Sequence, residues 1–424
     1  MTKNRGNFGS RFAVVMAMAG SAVGLGNIWR FPYMVGQHGG AAFIIVYVLC
    51  CLLVSLPIFF SESIIGKASR TDTYGAIEKL APGSPLKNVS YLAILASFVI
   101  LSFYSVVGGW SFDYLLRACL GSFNGKTIAE AKDIFAGISA APVENISCML
   151  VFLGLTALIV VAGVDKGIGR FSKFSIPVLF LMVVLIAIVS LSLPGSQKGV
   201  EYLLKPDFGK LDGPAIAAAL GQSFFSLSLG VGTVLTYSSY MKEEHSVMFT
   251  GCWTALFDTI FALIAGFAIM PAVFAAGIEP SAGPSLVFET LPVIFSKMGI
   301  VLPIVFFLAI LIAALSSSIS MLEVVVAWLV DQKGMTRSKA TLLVFIAAAL
   351  LGSACAVAPK VFGTCDFLSS NVLMMIGAFT FAIVVGWKMP REQVLEYVRY
   401  RSIYWIIRYA APLMIVAIAV TNLL

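Results

Sequence analysis

Few side chains in this sequence could do chemistry, and most of those lie inside apolar stretches. Gly20-Ser21-Ala22-Val23-Gly24-Leu25-Gly26-Asn27 runs into Ile28-Trp29-Arg30-Phe31-Pro32 within an apolar run long enough to cross a bilayer. Glycine supports a helix poorly and proline donates no backbone hydrogen bond, so the helix is expected to break near 23–26. Irregular backbone at membrane depth persists only where it is buried in protein or lines a polar cavity. A break frees carbonyls that can hold a cation. It also frees amides, at the start of the next half-helix, that can hold a carboxylate. Close helix packing also accounts for the small residues, but not for Asn27 and Arg30.

Three further features belong with this one. Ser226-Leu227-Ser228-Leu229-Gly230-Val231-Gly232 again places glycines and hydroxyls at mid-membrane. Ser316 and Ser317 follow Ala313 by three and four positions, so the three share one helical face. Their hydroxyls can turn towards a hard cation or bond back to their own helix. Asp258 is a carboxylate within an apolar span, a costly placement that marks function. Glu62, Asp113 and Glu323 share that setting, and Asp113 is assigned no role. The sequence carries no nucleophile–base set, phosphate loop, redox motif or metal-ligand spacing of His and Cys, so it does not read as an enzyme.

These residues need helices to position them. Of 424 residues, 59% are hydrophobic and only 12% charged, with a mean hydropathy of +0.97. That excludes an ordinary soluble domain and implies an all-α, polytopic membrane protein, here a single transmembrane domain over 1–424. The net charge of +7 fits Lys and Arg in cytoplasmic loops and calls for no nucleic-acid partner. The polar, basic first residues ahead of a long apolar run are not expected to form a cleaved signal. The seven cysteines, odd in number and mostly in apolar segments, read as small packing residues without a disulfide. His38 and His245 read as interface or loop residues.

Eleven spans are expected, near 11–36, 41–68, 88–120, 146–163, 171–193, 214–238, 247–276, 298–330, 340–357, 366–387 and 402–422. The segment 278–297, rich in Gly, Pro and Ser, is expected to fold back as a short re-entrant hairpin. Most of the 28 Lys and Arg fall on the side of the N-terminus, which places that end in the cytoplasm and the C-terminus outside. Interrupted spans one and six, five apart, point to inverted repeats over about 11–193 and 214–387, with 402–422 as an addition.

Four stretches carry a family resemblance. Gly20–Pro32 resembles the first-helix signature of the neurotransmitter:sodium symporter family, and Leu220–Gly232 its sixth-helix signature. Ala282–Phe288 is similar to its fourth extracellular loop, and Ala313–Ser318 to its eighth helix. The likeness runs from about residue 5 to residue 366, and the span count resembles the prokaryotic amino-acid members. It implies a 5+5 inverted-repeat, leucine-transporter-like fold with discontinuous helices one and six.

The resemblance also implies sites. The carbonyls of Gly20, Val23 and Ala313 and the hydroxyls of Ser316 and Ser317 would surround one sodium ion. A second sodium would take the Ala22 carbonyl, the Asn27 side chain, Ser226, Asp258 and one oxygen of the substrate carboxylate. Sodium takes about five or six hard oxygen ligands, as other hard cations do. A shared ligand makes ion and substrate raise each other's affinity. Many members carry asparagine in place of Asp258. Tyr47, Gln222 and Ser226 match the lining of the anion site in chloride-dependent members, but Ala262 stands where those have serine. Asp258 is therefore expected to supply the fixed negative charge, and chloride is not expected as a cofactor. A proton bound and released by Asp258 is the rival reading, and a structurally paired aspartate the plain one.

The implied partner is a free α-amino acid, besides the lipid bilayer. Amides around Leu25 and Gly26, with the Tyr104 hydroxyl, would hold its carboxylate. Carbonyls near Ala22, Phe225 and Ser228 would hold its ammonium. Gly24 stands where amine-transporting relatives carry aspartate. Val23, Ile100, Tyr104, Phe225, Val231, Ser317 and Met321 would line an apolar side-chain pocket. Val231, replacing a family phenylalanine, would admit aromatic or large aliphatic side chains. Arg30 and Asp366 would gate the outside, and Arg5 and Asp331 the inside with Ser239, Tyr240 and Phe8 in support. Glu62 would hold the sixth-helix backbone, and Glu323 is also expected to pair with unwound backbone. The function implied is sodium-coupled symport of a hydrophobic or aromatic L-amino acid by alternating access, in a multi-pass plasma-membrane protein. A non-transporting sensor and a proton-coupled transporter using Asp258 are the alternatives.

Overall fold

The structure is a computed structural model and describes residues 6–278 and 286–423. Arg5 and most of the Ala282–Phe288 stretch, with the tip of the expected hairpin, lie outside the described residues. The described chain is helical, with no strand among the described residues.

The helices are α1 (Arg11–Ala22), α2 (Gly26–Gln37), α3 (Ala41–Ser69), α4 (Thr73–Leu80), α5 (Leu86–Cys119), α6 (Ile128–Ala140), α7 (Pro142–Val161), α8 (Val164–Leu191) and α9 (Gln197–Leu204). Then follow α10 (Gly213–Ser226), α11 (Thr233–Ser238), α12 (Val247–Ala275), α13 (Val287–Ser296), α14 (Val301–Lys333), α15 (Arg337–Val357), α16 (Pro359–Lys388), α17 (Arg391–Val398) and α18 (Arg401–Val420). Nine are long and apolar enough to span a membrane, and α1 with α2 makes a tenth span bent by 49°. Helices α10 and α11, broken over 227–232, occupy the place of the sixth span.

Local chemistry sets the ends. Ser10, Asp72, Asp212 and Ser246 each accept a hydrogen bond from a first-turn amide of the helix they precede. Several spans run longer than the hydropathy pattern predicts. The fifth begins at Val164 rather than near 171, and the tenth at Pro359 rather than near 366. Lys166, Arg170 and Lys173 interrupt the apolar pattern but not the helix, because long basic side chains keep their stems on apolar surface and their charges in water. Leu53, Leu158, Phe174, Leu350 and Leu413 remain exposed, as a lipid-facing girdle requires.

The long α5 and α14 pack along each other, and α7 and α15 pack against α5. Helix α1 lies against α8, α12 and α14, while α11 lies against α3 and α14. Both breaks are thereby buried at the centre of the bundle. At the expected hairpin, α13 is the described part, and its first turn packs against α6.

Candidate functional site

The first break is at Val23–Leu25, between α1 and α2. Space decides its glycine: a Cβ at Gly24 would collide with the Ser317 hydroxyl and sit 3.3 Å from the Tyr104 oxygen. The second break turns on Ser228, Gly230 and Gly232, at φ of 52°, 81° and 78°. A Cβ on Gly230 would meet the Met374 carbonyl of α16. The Gly230 amide donates to Glu62 Oε1 at 2.6 Å, so an α3 carboxylate takes up a donor that the broken helix leaves over. The sequence-based role of Glu62 places it at this backbone.

Between the breaks lies a cavity lined by Ala22, Gly24, Leu25, Gly26, Ile100, Tyr104, Phe225, Ser228, Val231, Ser317, Met321 and Met374. Its polar end holds the Leu25 amide, which donates to the Tyr104 hydroxyl at 3.3 Å. Its other end is hydrocarbon. Arg30 closes the top, its guanidinium 4.7 Å from the centre of the Phe225 ring. No ion pair within 4.0 Å joins Arg30 to Asp366 among the described residues, and Asp366 Oδ1 accepts from the Ser370 hydroxyl at 3.1 Å.

Asn27, Ser226, Asp258 and Tyr47 form one buried cluster beside the cavity. Asn27 Nδ2 donates to Asp258 Oδ1 at 2.7 Å and to Ser226 Oγ at 3.1 Å. Ser226 Oγ donates to the Asp258 carboxylate, 2.7 Å from Oδ2. The Tyr47 hydroxyl lies 3.1 Å from Ser226 Oγ and 3.4 Å from Asp258 Oδ2. Asn27 Oδ1 turns back to the break and accepts from the Gly24 amide at 3.1 Å. Gln222, expected beside Tyr47, instead donates to the Gly26 carbonyl at 3.1 Å. Asn27 Nδ2 can only donate to Asp258, while the Ser226 and Tyr47 hydroxyls can donate to an ionised carboxylate or accept from a protonated one. A carboxylate this deep is costly without a countercharge, and no described cationic side chain forms an ion pair with it.

The expected first sodium group is brought together in part. Ser316 Oγ lies 3.3 Å from the Val23 carbonyl and 2.8 Å from the Ala313 carbonyl. Gly20 packs against Ser316, where an added Cβ would sit 3.4 Å from the serine Cβ. The Ser317 hydroxyl turns the other way, to the Ser21 carbonyl at 3.3 Å and the cavity. Ser21 and Ser320 join at 2.8 Å beside it, a contact that sequence reasoning did not single out.

Three other expectations change. Val23 and Ser226 do not line the cavity; Val23 faces Ser316 and Ser226 faces Asp258. Met374 lines it instead, brought in by the fit of α16 against Gly230, which no sequence spacing signals. Glu323 does not pair with unwound backbone. It forms a buried ion pair with Arg337 and accepts from the Tyr240 hydroxyl at 2.6 Å. Arg337 Nε also donates to the Val160 carbonyl at 2.7 Å, so one guanidinium ties α7, α14 and α15. Asp113 pairs with Arg117 at 2.6 Å, and Arg117 with Glu144 at 2.7 Å. At the α11 end, the Phe8 amide donates to the Tyr240 carbonyl at 3.2 Å, and its ring packs edge-on against Tyr237 and Tyr240. Asp331 accepts from the Asp72 amide at 3.0 Å and from Thr71 at 3.3 Å; its expected partner Arg5 lies outside the described residues.

Paired broken helices around a cavity at the centre of a helical bundle define a secondary transporter of leucine-transporter-like fold. The chain belongs to the sodium:neurotransmitter symporter family, whose model matches residues 5–126 and 130–424. It is similar to the uncharacterized sodium-dependent transporter YhdH of Bacillus subtilis, 37% identical over 96% of each chain. It is also 34% identical to an uncharacterized sodium-dependent transporter of Haemophilus influenzae, over 99% of each. Its structure matches that of MhsT solved in complex with L-phenylalanine, with a TM-score of 0.92, 36% identity, and coverage of 99% of this chain and 100% of that one. The protein is a multi-pass, sodium-coupled symporter and not an enzyme.

Proposed function

We propose that this chain moves a hydrophobic or aromatic L-amino acid with two sodium ions, by alternating access and without chloride. The observation that carries this is the cavity at the meeting of the two breaks, polar at the Leu25–Tyr104 end and hydrocarbon at the other. An α-carboxylate fits the polar end, and a large apolar side chain fits against Ile100, Val231 and Met321. That MhsT was solved with L-phenylalanine supports the same class of substrate. Val23, Ala313 and Ser316, with Gly20 beside them, would hold one sodium, and Ser317 would join after a rotamer change. Ala22, Asn27, Ser226 and Asp258 would hold the other.

Asp258 takes the hydrogen bonds that an anion would otherwise receive from Tyr47 and Ser226, which supports chloride independence. The first five spans and the next five act as the two halves, about 11–193 and 214–387, with the N-terminus inside and the C-terminus outside. The test is sodium-driven uptake of labelled amino acids into proteoliposomes, with and without chloride. Accumulation of phenylalanine or leucine that needs sodium but not chloride is expected. Sodium-dependent binding with no accumulation would make the protein a sensor and overturn the reading.

A further inference from the structure

All seven cysteines are free thiols in the structure, but two of them meet. Cys355 lies in the last turn of α15 and Cys365 in the second turn of α16. The chain reverses between them at Ala358-Pro359, and their sulfurs stand 3.9 Å apart. That is contact distance for two thiols, about 2 Å more than an S–S bond. Cys355 is buried, at 3% exposure, while Cys365 is partly exposed. Cys365 is followed directly by Asp366, the exposed residue expected from the sequence to gate the outside with Arg30. Eight residues after Asp366 on the same helix, Met374 lines the cavity itself.

We propose that Cys355 and Cys365 form a disulfide on the outer face of the membrane, and that the bond fastens the extracellular gate. The proposal rests on the orientation and transport reading above, which put this turn in the compartment where disulfides persist. The reaction is thiol–disulfide exchange with a low-molecular-weight disulfide. The more exposed Cys365 loses its proton, and its thiolate attacks one sulfur of the external disulfide. A mixed disulfide forms and one thiolate leaves. Cys355, already in contact, then loses its proton and attacks the Cys365 sulfur, releasing the second thiolate. The two protein thiols are oxidised, and the external disulfide is reduced to two thiols. The product ties the Asp366 turn of α16 to α15, which is anchored against α5 and α7. Asp366 is then held over Arg30, and outward opening is slowed.

The test uses full-length protein in proteoliposomes, treated from outside with oxidised glutathione and then with N-ethylmaleimide. Mass spectrometry is expected to find a peptide pair linked through Cys355 and Cys365, which an impermeant phosphine reverses. Sodium-driven phenylalanine uptake is expected to fall about tenfold with the crosslink and to recover on reduction. Neither Cys355→Ser nor Cys365→Ser should form the linked peptide, and Cys355→Ser should stop at the mixed disulfide on Cys365. Alkylation of both thiols after oxidation, or unchanged uptake by the crosslinked protein, overturns the proposal. The linked peptide is read without transport. A reduced protein that forms the crosslink but takes nothing up would therefore count against the transport reading instead.

Discussion

Asp258 shows how one side chain at membrane depth can decide ion use. Its carboxylate has donors from Asn27, Ser226 and Tyr47, but hydrogen bonds alone do not offset burial of a full charge. In the proposed second sodium site an ion alongside would remove the penalty, so the charge of Asp258 and sodium affinity would be coupled. Asp258→Asn keeps the shape and removes the charge. Sodium-dependent uptake is expected to fall about tenfold, or to become chloride-dependent, as coupling energies of this kind predict. Unchanged uptake in proteoliposomes, with no chloride effect in either protein, would contradict this. Val231 tests the pocket. Val231→Phe fills the hydrocarbon end and is expected to shift preference from phenylalanine towards smaller side chains by about tenfold, read by competition for uptake.

At the scale of elements, α11, α14 and α15 are tied at one end of the bundle by few bonds. Glu323, fully buried, joins α14 to Arg337 of α15 and to Tyr240 after α11. Breaking a buried pair by removing one partner costs about 3–5 kcal/mol, because the other charge is left uncompensated. Arg337→Met is therefore expected to lower the thermal midpoint sharply, and Glu323→Gln added to it should restore much of the loss. Equal midpoints for the single and double variants would show that the pair is not coupled. The loop between α11 and α12 responds to pH. Lys67 donates to the Glu243 carbonyl at 2.9 Å and to the His245 carbonyl. Burial holds His245 below its ordinary pKa, with Glu244 opposing the shift, and its Nδ1 accepts from the Lys242 amide at 3.4 Å. The unfolded chain then binds the proton more readily than the fold does. The His245 contribution is complete above about pH 6.5 and is lost as pH falls below it. His245→Gln should flatten the dependence of the thermal midpoint on pH between about 7 and 5.

At the scale of the molecule, the charge asymmetry of the loops makes a testable statement about orientation. Cysteine introduced for the exposed Lys205, after α9, is expected to react with an impermeant maleimide from outside intact cells. Cysteine for the exposed Lys339, at the start of α15, should react only after permeabilisation. The reverse pattern would invert the topology. The many-span helical architecture and the two interrupted helices were legible because apolar length, glycine and proline are local properties; nine spans and one bent pair are long and apolar enough among the described residues, against eleven expected, because α10 and α11 are each too short to cross alone. The early starts of α8 and α16 were not, since hydropathy ends where charge begins while helical hydrogen bonding continues into the interface.

The sequence alone determined that the chain crosses a membrane many times, that helices one and six break, and that Asn27, Ser226, Asp258 and Ser316 stand out. Each of those facts is a misfit between a residue and its apolar surroundings, and a misfit can be seen without knowing its partner. Tertiary structure alone decided the partners. It turned Ser317 to the cavity and Ser316 to Val23, brought Met374 to the lining, gave Glu323 to Arg337 and set Cys355 against Cys365. These contacts join different helices or different turns. Their geometry depends on how helices sit against one another, which no local spacing encodes.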